Sequence, residues 1–278
     1  MRKQHIRIKS GQIVIYALFT LLLILFLIPF FLVLLNSFKA NKEIILDPLS
    51  FPQVINLQGY AKAFTAMNYL GTFKNSLIIT VFSIVFIILF AVMCAYFFAR
   101  NNWKINKILF MIMVASMIIP FQTIMIPIVK NFAAINAVDN IFMVVVFYVG
   151  AHISMAVFMF QGFIKSIPVE LDEAATIDGC NHFQILFRVI FPLLKPIIST
   201  VAVLDILAIW NDFLLPYILL QSNRLKTLPL MTYSFFGQYS VDYSLVCSGL
   251  IMSILPVIII YAFLQKQIID GVVAGAIK

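Results

Sequence analysis

The residues of this sequence best suited to contact a small polar molecule lie in one apolar stretch, 196–221. There Asp205, Trp210, Asn211 and Asp212 interrupt a hydrophobic run. If the stretch is helical, the two aspartates share a face, because a spacing of seven residues separates them by about 10 Å along the axis. Carboxylates accept hydrogen bonds from sugar hydroxyls, and an indole stacks on C–H faces. The group therefore indicates a polar translocation pathway or a carbohydrate contact.

Two other roles stay open for these residues. Each ionisable side chain within a membrane span costs about 2.5–3.5 kcal/mol on insertion scales, so it needs a wet surface or a partner. The aspartates could line a wet interface between two membrane subunits, or brace one helix against another. Gln122 is a weaker pathway candidate. A single histidine on an apolar span more often makes a helix–helix hydrogen bond than it binds a ligand, and we expect this of His152.

A second polar segment, "ELDEAATIDG", covers 170–179 and holds four acidic residues in a chain that is 11% charged. Pro168 suits the first turn of a helix, and acidic residues there are favoured by the helix dipole. Gly179 is placed as a C-cap glycine. The residues expected to share one face are Leu171, Ala174, Ala175 and Asp178. A second short helix, "HFQILFRVIF", should follow and run into Pro192.

The elements that position these residues are membrane helices. The chain has 278 residues, of which 63% are hydrophobic, whereas soluble domains are roughly 45–50% apolar. Because a helix needs about 20 apolar residues to cross the bilayer, we predict six spans in an all-α polytopic membrane protein. The spans are 12–36, 74–99, 107–130, 140–164, 196–221 and 246–265. Residues 1–11 form an amino-terminal tail, and 12–278 form one membrane domain.

The basic residues orient this domain. Most of the 19 Lys and Arg residues fall on one side of six spans: Arg2, Lys3, Arg7, Lys9, Arg100, Lys104, Lys107, Lys165, Arg188, Lys195, Lys266 and Lys278. By the positive-inside rule, both termini and the acidic segment are therefore cytoplasmic. The three cysteines lie far apart without metal-ligand spacing, so we expect free thiols and no metal site.

The acidic segment is unlike a helix that lies on lipid. Interfacial helices show Lys and Arg on their polar face because the cytoplasmic leaflet is negative. Carboxylates would be repelled there, and a face centred on two alanines suits close approach of a protein. We therefore predict a docking helix for a cytoplasmic partner rather than an interfacial helix.

Two outer segments, 37–73 and 222–245, are rich in aromatic and polar residues. Interfacial anchoring and docking of an external protein are both consistent with this composition. If an external protein docks, the expected contact zone lies near Tyr233, Phe235, Gly237 and Tyr239.

"EAATIDGCNHFQILFRVIFP" resembles the cytoplasmic EAA motif of permease subunits in ATP-binding-cassette importers. The motif is Glu-Ala-Ala, three residues, Gly, nine residues, Ile-x-Leu-Pro. The matching residues are Glu173, Ala174, Ala175, Gly179 and Pro192. Val189 and Phe191 replace the Ile and Leu, apolar for apolar. Further segments resemble the carbohydrate branch of maltose and multiple-sugar type: "LIPFFLVLLNSFKANKEI", "NSLIIT", "IPFQTIMIPIVK", "WNDFLLP" and "QKQIIDGVVAGAIK".

The resemblance implies a type I importer permease fold with a cytoplasmic coupling helix between spans four and five, in the region 166–192. The residues implied to couple to the ATPase are Glu173, Ala174, Ala175, Asp178, Gly179 and Pro192. Implied partners are a second homologous permease, two ATPase subunits and an extracytoplasmic sugar-binding protein, in a bacterial cytoplasmic membrane. We expect no nucleic-acid partner and no cofactor on this chain, with ATP and Mg²⁺ used by the partner subunits.

Three alternatives remain. A permease of the same class could carry a non-sugar solute. A secondary transporter would leave the acidic helix unexplained and often shows internal repeats, which are not evident. A membrane enzyme is disfavoured because no catalytic spacing stands out. The chain also lacks G-x-x-x-x-G-K-[ST], so any ATP hydrolysis would belong to separate subunits.

Overall fold

The computed structural model describes residues 10–236 and 241–276, and this part of the chain is helical. The helices are α1 (Ser10–Asn36), α2 (Asn41–Leu46), α3 (Gln58–Ala66), α4 (Tyr69–Arg100), α5 (Lys104–Ser116), α6 (Phe121–Ala134), α7 (Ile141–Ile164), α8 (Glu170–Ile177), α9 (His182–Leu193), α10 (Lys195–Asn211), α11 (Leu214–Leu219), α12 (Leu228–Tyr233) and α13 (Tyr243–Ala276). One isolated antiparallel bridge joins Phe236 to Val241. The all-α prediction is confirmed for the described residues.

Within residues 10–236 and 241–276, four helices are each long and apolar enough to cross a membrane: α1, α4, α7 and α13. Six crossings result only if two bent pairs each count as one span. The pair α5–α6 bends by 98° and the pair α9–α10 by 78°. Helices therefore stand at all six predicted positions, and the described residues provide four to six candidate spans by length and composition.

Two predicted spans are interrupted where the sequence analysis expected continuous helices. In 107–130 the helix stops after Ser116 and restarts at Phe121. Pro120 lies at this break, where it has no N–H to donate and disfavours helical backbone in the residue before it. In 196–221 the helix ends at Asn211 and restarts at Leu214. Asp212 adopts extended backbone between the two pieces.

The described residues form two compact units. The first comprises the chain up to Ala66 together with Phe235–Met252. Within it, Gly59 of α3 permits a close approach to α13, since a Cβ there would lie 2.6 Å from the hydroxyls of Ser244 and Ser248. Those two hydroxyls in turn donate to backbone carbonyls that follow α1.

The second unit, Met67–Ser234 with Ser253–Lys278, contains the larger apolar core. Its centre is the packing of α4 along α7, with α10 against both. On α4, Ile87, Ala91 and Ala95 repeat every four residues and are fully buried. The small side chains of Ala91 and Ala95 let the helix backbones approach closely, which favours helix association in membranes. This pair of helices positions the polar residues described next.

Candidate coupling and pathway sites

The short acidic helix α8 is fixed to the end of α4 by an ion pair and by hydrogen bonds of Tyr96 and Arg100. Arg100, the last residue of α4, places Nε 2.6 Å from Oδ2 of Asp172. The hydroxyl of Tyr96 donates to Oδ1 of the same carboxylate at 3.1 Å. Arg100 Nη1 also donates to the carbonyl of Ile167, 3.2 Å away, just before α8. Both charged side chains are largely buried, so the pair holds α8 in one orientation.

This attachment changes the predicted face of α8. The prediction that Ala174 and Ala175 share one contact face is wrong in the structure. Ala175 packs into the chain's own core on the same side as Asp172. The side turned away from the core is instead formed by Glu173, Ala174, Ile177 and Asp178. The orientation of α8 is set by Arg100 at the end of α4, because its largely buried guanidinium pairs with Asp172 and so turns that side of α8 inward. The residue spacing along α8 alone does not predict this contact.

The turn after α8 has the geometry that the sequence predicts. Gly179 has a φ of +80°, in the left-handed region that L side chains rarely adopt. A Cβ on Gly179 would meet nothing within 4 Å, so the constraint is backbone conformation and not a steric clash. Asn181 and Gln184 then form a capping box, with hydrogen bonds of 2.9 and 2.8 Å, that starts α9.

The second short helix of the predicted pair is irregular. The middle of α9, Ile185–Ile190, is a π-helix whose Ile185, Leu186 and Ile190 are buried. Pro192 follows, exposed, in the last turn of α9. π-helical turns are rare and often occur at functional sites. The region thus consists of an anchored helix, a glycine turn and an irregular helix that leads into α10.

In the membrane segments, Asp205 of α10 is paired with His152 of α7. His152 Nδ1 lies 2.9 Å from Asp205 Oδ1, and the carboxylate is almost fully buried. The second oxygen, Asp205 Oδ2, is also buried and has no hydrogen-bond partner among the described residues. His152 therefore makes the helix–helix contact that is expected of a lone histidine.

Asp212 makes a parallel contact with the same helix. The hydroxyl of Tyr148, one turn before His152 on α7, donates to Asp212 Oδ2 at 2.9 Å. The other oxygen, Oδ1, accepts from the backbone N–H of Leu214 at 2.8 Å and so begins α11 after the break. Both aspartates thus join α10 to α7, which is the bracing role left open above.

The other pathway candidates make no hydrogen bond with the carboxylates of the two aspartates: one is buried in protein contacts and two are exposed. Trp210 is buried, donates from Nε1 to the carbonyl of Ser253 at 3.2 Å, and meets Phe73 edge-on. Its indole face is therefore occupied by protein. Asn211 is exposed and its amide donates within α10 to Leu207 O at 2.8 Å, while Gln122 is exposed on α6. The structure does not bring Gln122 into the hydrogen bonds of Asp205 and Asp212.

The proposed outer docking residues are only partly described. Tyr233 is half exposed, with its ring centroid 5.2 Å from that of Phe213 in a stacked arrangement and 6.0 Å from that of Tyr217. Phe235 is partly buried. Gly237 and Tyr239 lie outside the described residues.

Residues that the sequence analysis missed organise the segment after α11. Asp139 accepts hydrogen bonds from the backbone N–H groups of Gln221 and Ser222, at 3.0 and 2.9 Å, and from the Ser222 hydroxyl. These hydrogen bonds, first that of the hydroxyl, hold the pKa of Asp139 below its usual value. On α4, Asn75 donates to the carbonyls of Arg224 and Lys226 at 2.8 and 3.0 Å. No sequence spacing linked these distant positions.

Comparisons with known proteins agree with this architecture. The family described as "Binding-protein-dependent transport system inner membrane component" matches residues 87–270. The probable starch degradation products transport system permease of Thermoanaerobacterium thermosulfurigenes is 41% identical over the whole of both chains. The multiple sugar-binding transport system permease of Streptococcus mutans is 37% identical over 95% of this chain and 96% of its own.

A solved structure has the same fold. It is a bacterial ABC transporter involved in the import of the acidic polysaccharide alginate, matched with a TM-score of 0.81. The identity is 22%, and the match covers 93% of this chain and 98% of that one.

Proposed function

This chain belongs to the inner membrane components of binding-protein-dependent transport systems, and we propose that it is the permease subunit of an ATP-driven importer of oligosaccharides. It forms half of the translocation pathway, next to a second homologous permease. Two ATPase subunits hydrolyse ATP on the cytoplasmic side, and an extracytoplasmic sugar-binding protein delivers the substrate. The chain itself performs no chemical step.

The assignment of a saccharide rests on one observation, the full-length match to permeases whose names specify sugars. The relative with 41% identity is named for starch degradation products, and others at 34% and 32% for melibiose, raffinose and stachyose and for arabino-oligosaccharides. Matches that span 90% or more of this chain include the spans as well as the acidic segment. A saccharide is therefore the best-supported class of substrate.

We assign coupling to the exposed side of α8. Asp172 and Ala175 hold the helix to α4 and to the core, which leaves Glu173, Ala174 and Asp178 free to contact another protein. Because α8 is held by Asp172 and Ala175, a force applied to its exposed side is transmitted to α4 as a rigid-body movement of the helix. We propose that the ATPase contacts this side, and that both termini of the chain lie in the cytoplasm with it.

Uptake in a host that lacks this gene tests the proposed substrate. Labelled mono- and oligosaccharides are offered to the deletion strain, to the strain carrying the wild type, and to an empty-vector control. Loss of one saccharide class and its recovery with the wild type are expected. Normal uptake of every saccharide, together with loss of an unrelated solute, would transfer the assignment to a non-sugar importer of the same class.

The energy source is tested in right-side-out membrane vesicles prepared from the same strains, with ATP enclosed and the sugar-binding protein added outside. Accumulation should require ATP and the binding protein, because the ATPase subunits drive the cycle. Accumulation that runs on an ion gradient alone, without the binding protein, would contradict an importer of this class and favour a secondary transporter.

A further inference from the structure

A cavity of about 380 Å³ with a mixed polar and apolar lining lies where three helices of the larger unit end or begin. It is formed by the end of α4 with the residues that follow it, the start of α5 and the end of α7. The lining residues are Phe98, Asn101, Asn102, Asn106, Lys107, Phe110, Met111, Gln161 and Lys165. None of these residues belongs to α8 or to the Asp205 and Asp212 contacts.

One of the lining residues, Gln161, has a side-chain amide without a hydrogen-bond partner in the described part of the chain. Gln161 is only 8% exposed, yet its side chain makes no hydrogen bond within the described part of the chain. The amide is open to the cavity, so a ligand or water there can hydrogen-bond to it. Asn106 beside it is also buried, and its amide donates to the carbonyl of Asn101 at 3.1 Å.

Two of the lining residues are exposed cations. Lys107 and Lys165 are exposed, and neither has an acidic group within ion-pair distance among residues 10–236 and 241–276. The nearest guanidinium, Arg100, is already paired with Asp172. The cavity thus presents two ammonium groups without an acidic partner and the amide of Gln161, which favours an anion.

The opposite wall is apolar. Phe98 and Phe110 lie edge-on with their ring centroids 5.9 Å apart, and Met111 next to them is 66% exposed on α5. An inorganic anion gains nothing from contact with these apolar side chains, whereas the acyl chain of an amphiphile would pack against them. The position at the ends of spans is also where the headgroups of a bilayer lie.

We propose that this cavity binds the phosphate of an anionic phospholipid, with Lys107, Lys165 and Gln161 at the headgroup and the acyl chain along Phe110 and Met111. Basic pockets between spans are suited to such headgroups, and each lysine near the membrane surface strengthens the attraction. The lipid would join α4 to α5 and α7 at the ends of these helices. This proposal does not rest on the sugar assignment or on the coupling role of α8.

The test is lipid binding to the complete importer complex, purified in detergent and measured by native mass spectrometry. The probes are phosphatidylglycerol, phosphatidylcholine and glycerol phosphate, which carries the same anion without acyl chains. The variants are Lys107→Gln with Lys165→Gln, and Gln161→Leu. Lys104→Gln is the matched control, because this lysine is exposed in the same helix but does not line the cavity.

We expect phosphatidylglycerol to bind more tightly than phosphatidylcholine, and the affinity to fall about fivefold for each lysine removed. Gln161→Leu should weaken binding about tenfold, as loss of a hydrogen bond to a charged group does. Lys104→Gln should bind like the wild type.

Three results would overturn the proposal. An equal loss in Lys104→Gln would mean that the lipid responds only to overall charge. Displacement of phosphatidylglycerol by glycerol phosphate at equal affinity would make this a site for free phosphate compounds. Unchanged lipid binding in the double lysine variant, combined with loss of a partner subunit, would identify the cavity as a protein interface.

Discussion

Arg100 at the end of α4 and Asp172 in the first turn of α8 form an ion pair with an N–O distance of 2.6 Å. The pair joins a membrane helix to the segment proposed to meet the ATPase. Tyr96, one turn earlier on α4, contacts the same carboxylate at 3.1 Å. The contact between α8 and α4 is therefore made by side chains that are mostly out of water.

We first predict that Asp172→Asn uncouples transport and lowers stability. The change leaves a largely buried guanidinium without its counter-ion, at a cost of about 1.5–3 kcal/mol, the range for hydrogen bonds to charged groups. ATP hydrolysis stimulated by the binding protein and thermal unfolding of the reconstituted complex measure the two effects. Glu170→Gln, in the same turn and exposed, is the control and should behave like the wild type in both assays.

The second prediction separates the two adjacent alanines. Ala174→Trp should reduce co-purification of the ATPase while the permease remains abundant in the membrane, because Ala174 is exposed. Ala175→Trp should instead lower abundance, since overpacking a core position costs about 1–3 kcal/mol. Equal loss of abundance in both variants would contradict the orientation of α8 described above.

A third prediction concerns Gly179. Because its φ is +80° and the space around it is open, side-chain size should matter less than backbone preference. Gly179→Asn should retain much of the transport activity, and Gly179→Val should lose most of it, since the left-handed conformation costs roughly 1–2 kcal/mol for residues with a Cβ. Uptake normalised to permease abundance measures this. Gly162→Ala, in α7 with no contact within 4 Å and no positive φ, should be neutral.

The fourth prediction tests bracing against substrate contact at Asp205. His152→Leu should destabilise the permease, because it leaves a buried carboxylate with no hydrogen bond at either oxygen. Adding Asp205→Leu should restore part of that stability by removing the unpaired charge. Thermal aggregation of the detergent-solubilised protein reports both changes. A normal melting profile combined with a raised apparent KM for the sugar would place Asp205 at the substrate instead.

The fifth prediction is a pH dependence at Asp139, which lies between α6 and α7. Its pKa is lowered in the folded protein, chiefly by the Ser222 hydroxyl. The folded state therefore binds the proton less tightly than the unfolded chain, whose Asp pKa is about 3.9. The hydrogen bonds stabilise fully above that value, and the contribution is lost as pH falls through the folded pKa.

Unfolding midpoints of the wild type and Ser222→Ala test this dependence between pH 7 and pH 3. The wild type should be the more stable near neutrality, and the difference should shrink below about pH 4. Ser199→Ala is the control, because this exposed hydroxyl bonds only within its own helix, to the carbonyl of Lys195. A difference that stays constant across the range would rule out the carboxylate as its source.

Local features of the sequence predicted much of the site. Length and hydropathy located helices at every predicted span, because the cost of burying backbone in lipid forces apolar runs of this length to be helical. The spacing from Glu173 through Gly179 to Pro192 located the anchored helix, the turn and the restart. A positive φ at Gly179 was predictable because helix ends favour glycine there for a local steric reason.

The sequence by itself determined the class of protein, the places of its apolar helices and the place of α8, since each depends on residues near one another in the chain. Tertiary structure alone decided which side of α8 is exposed, and that Asp205 and Asp212 are bound by His152 and Tyr148. It also decided that Gln161 faces a cavity with Lys107 and Lys165. Apart from the neighbouring Gln161 and Lys165, these features depend on partners 50 or more residues away, and which of them meet is set by the packing of α4, α7 and α10 rather than by local periodicity.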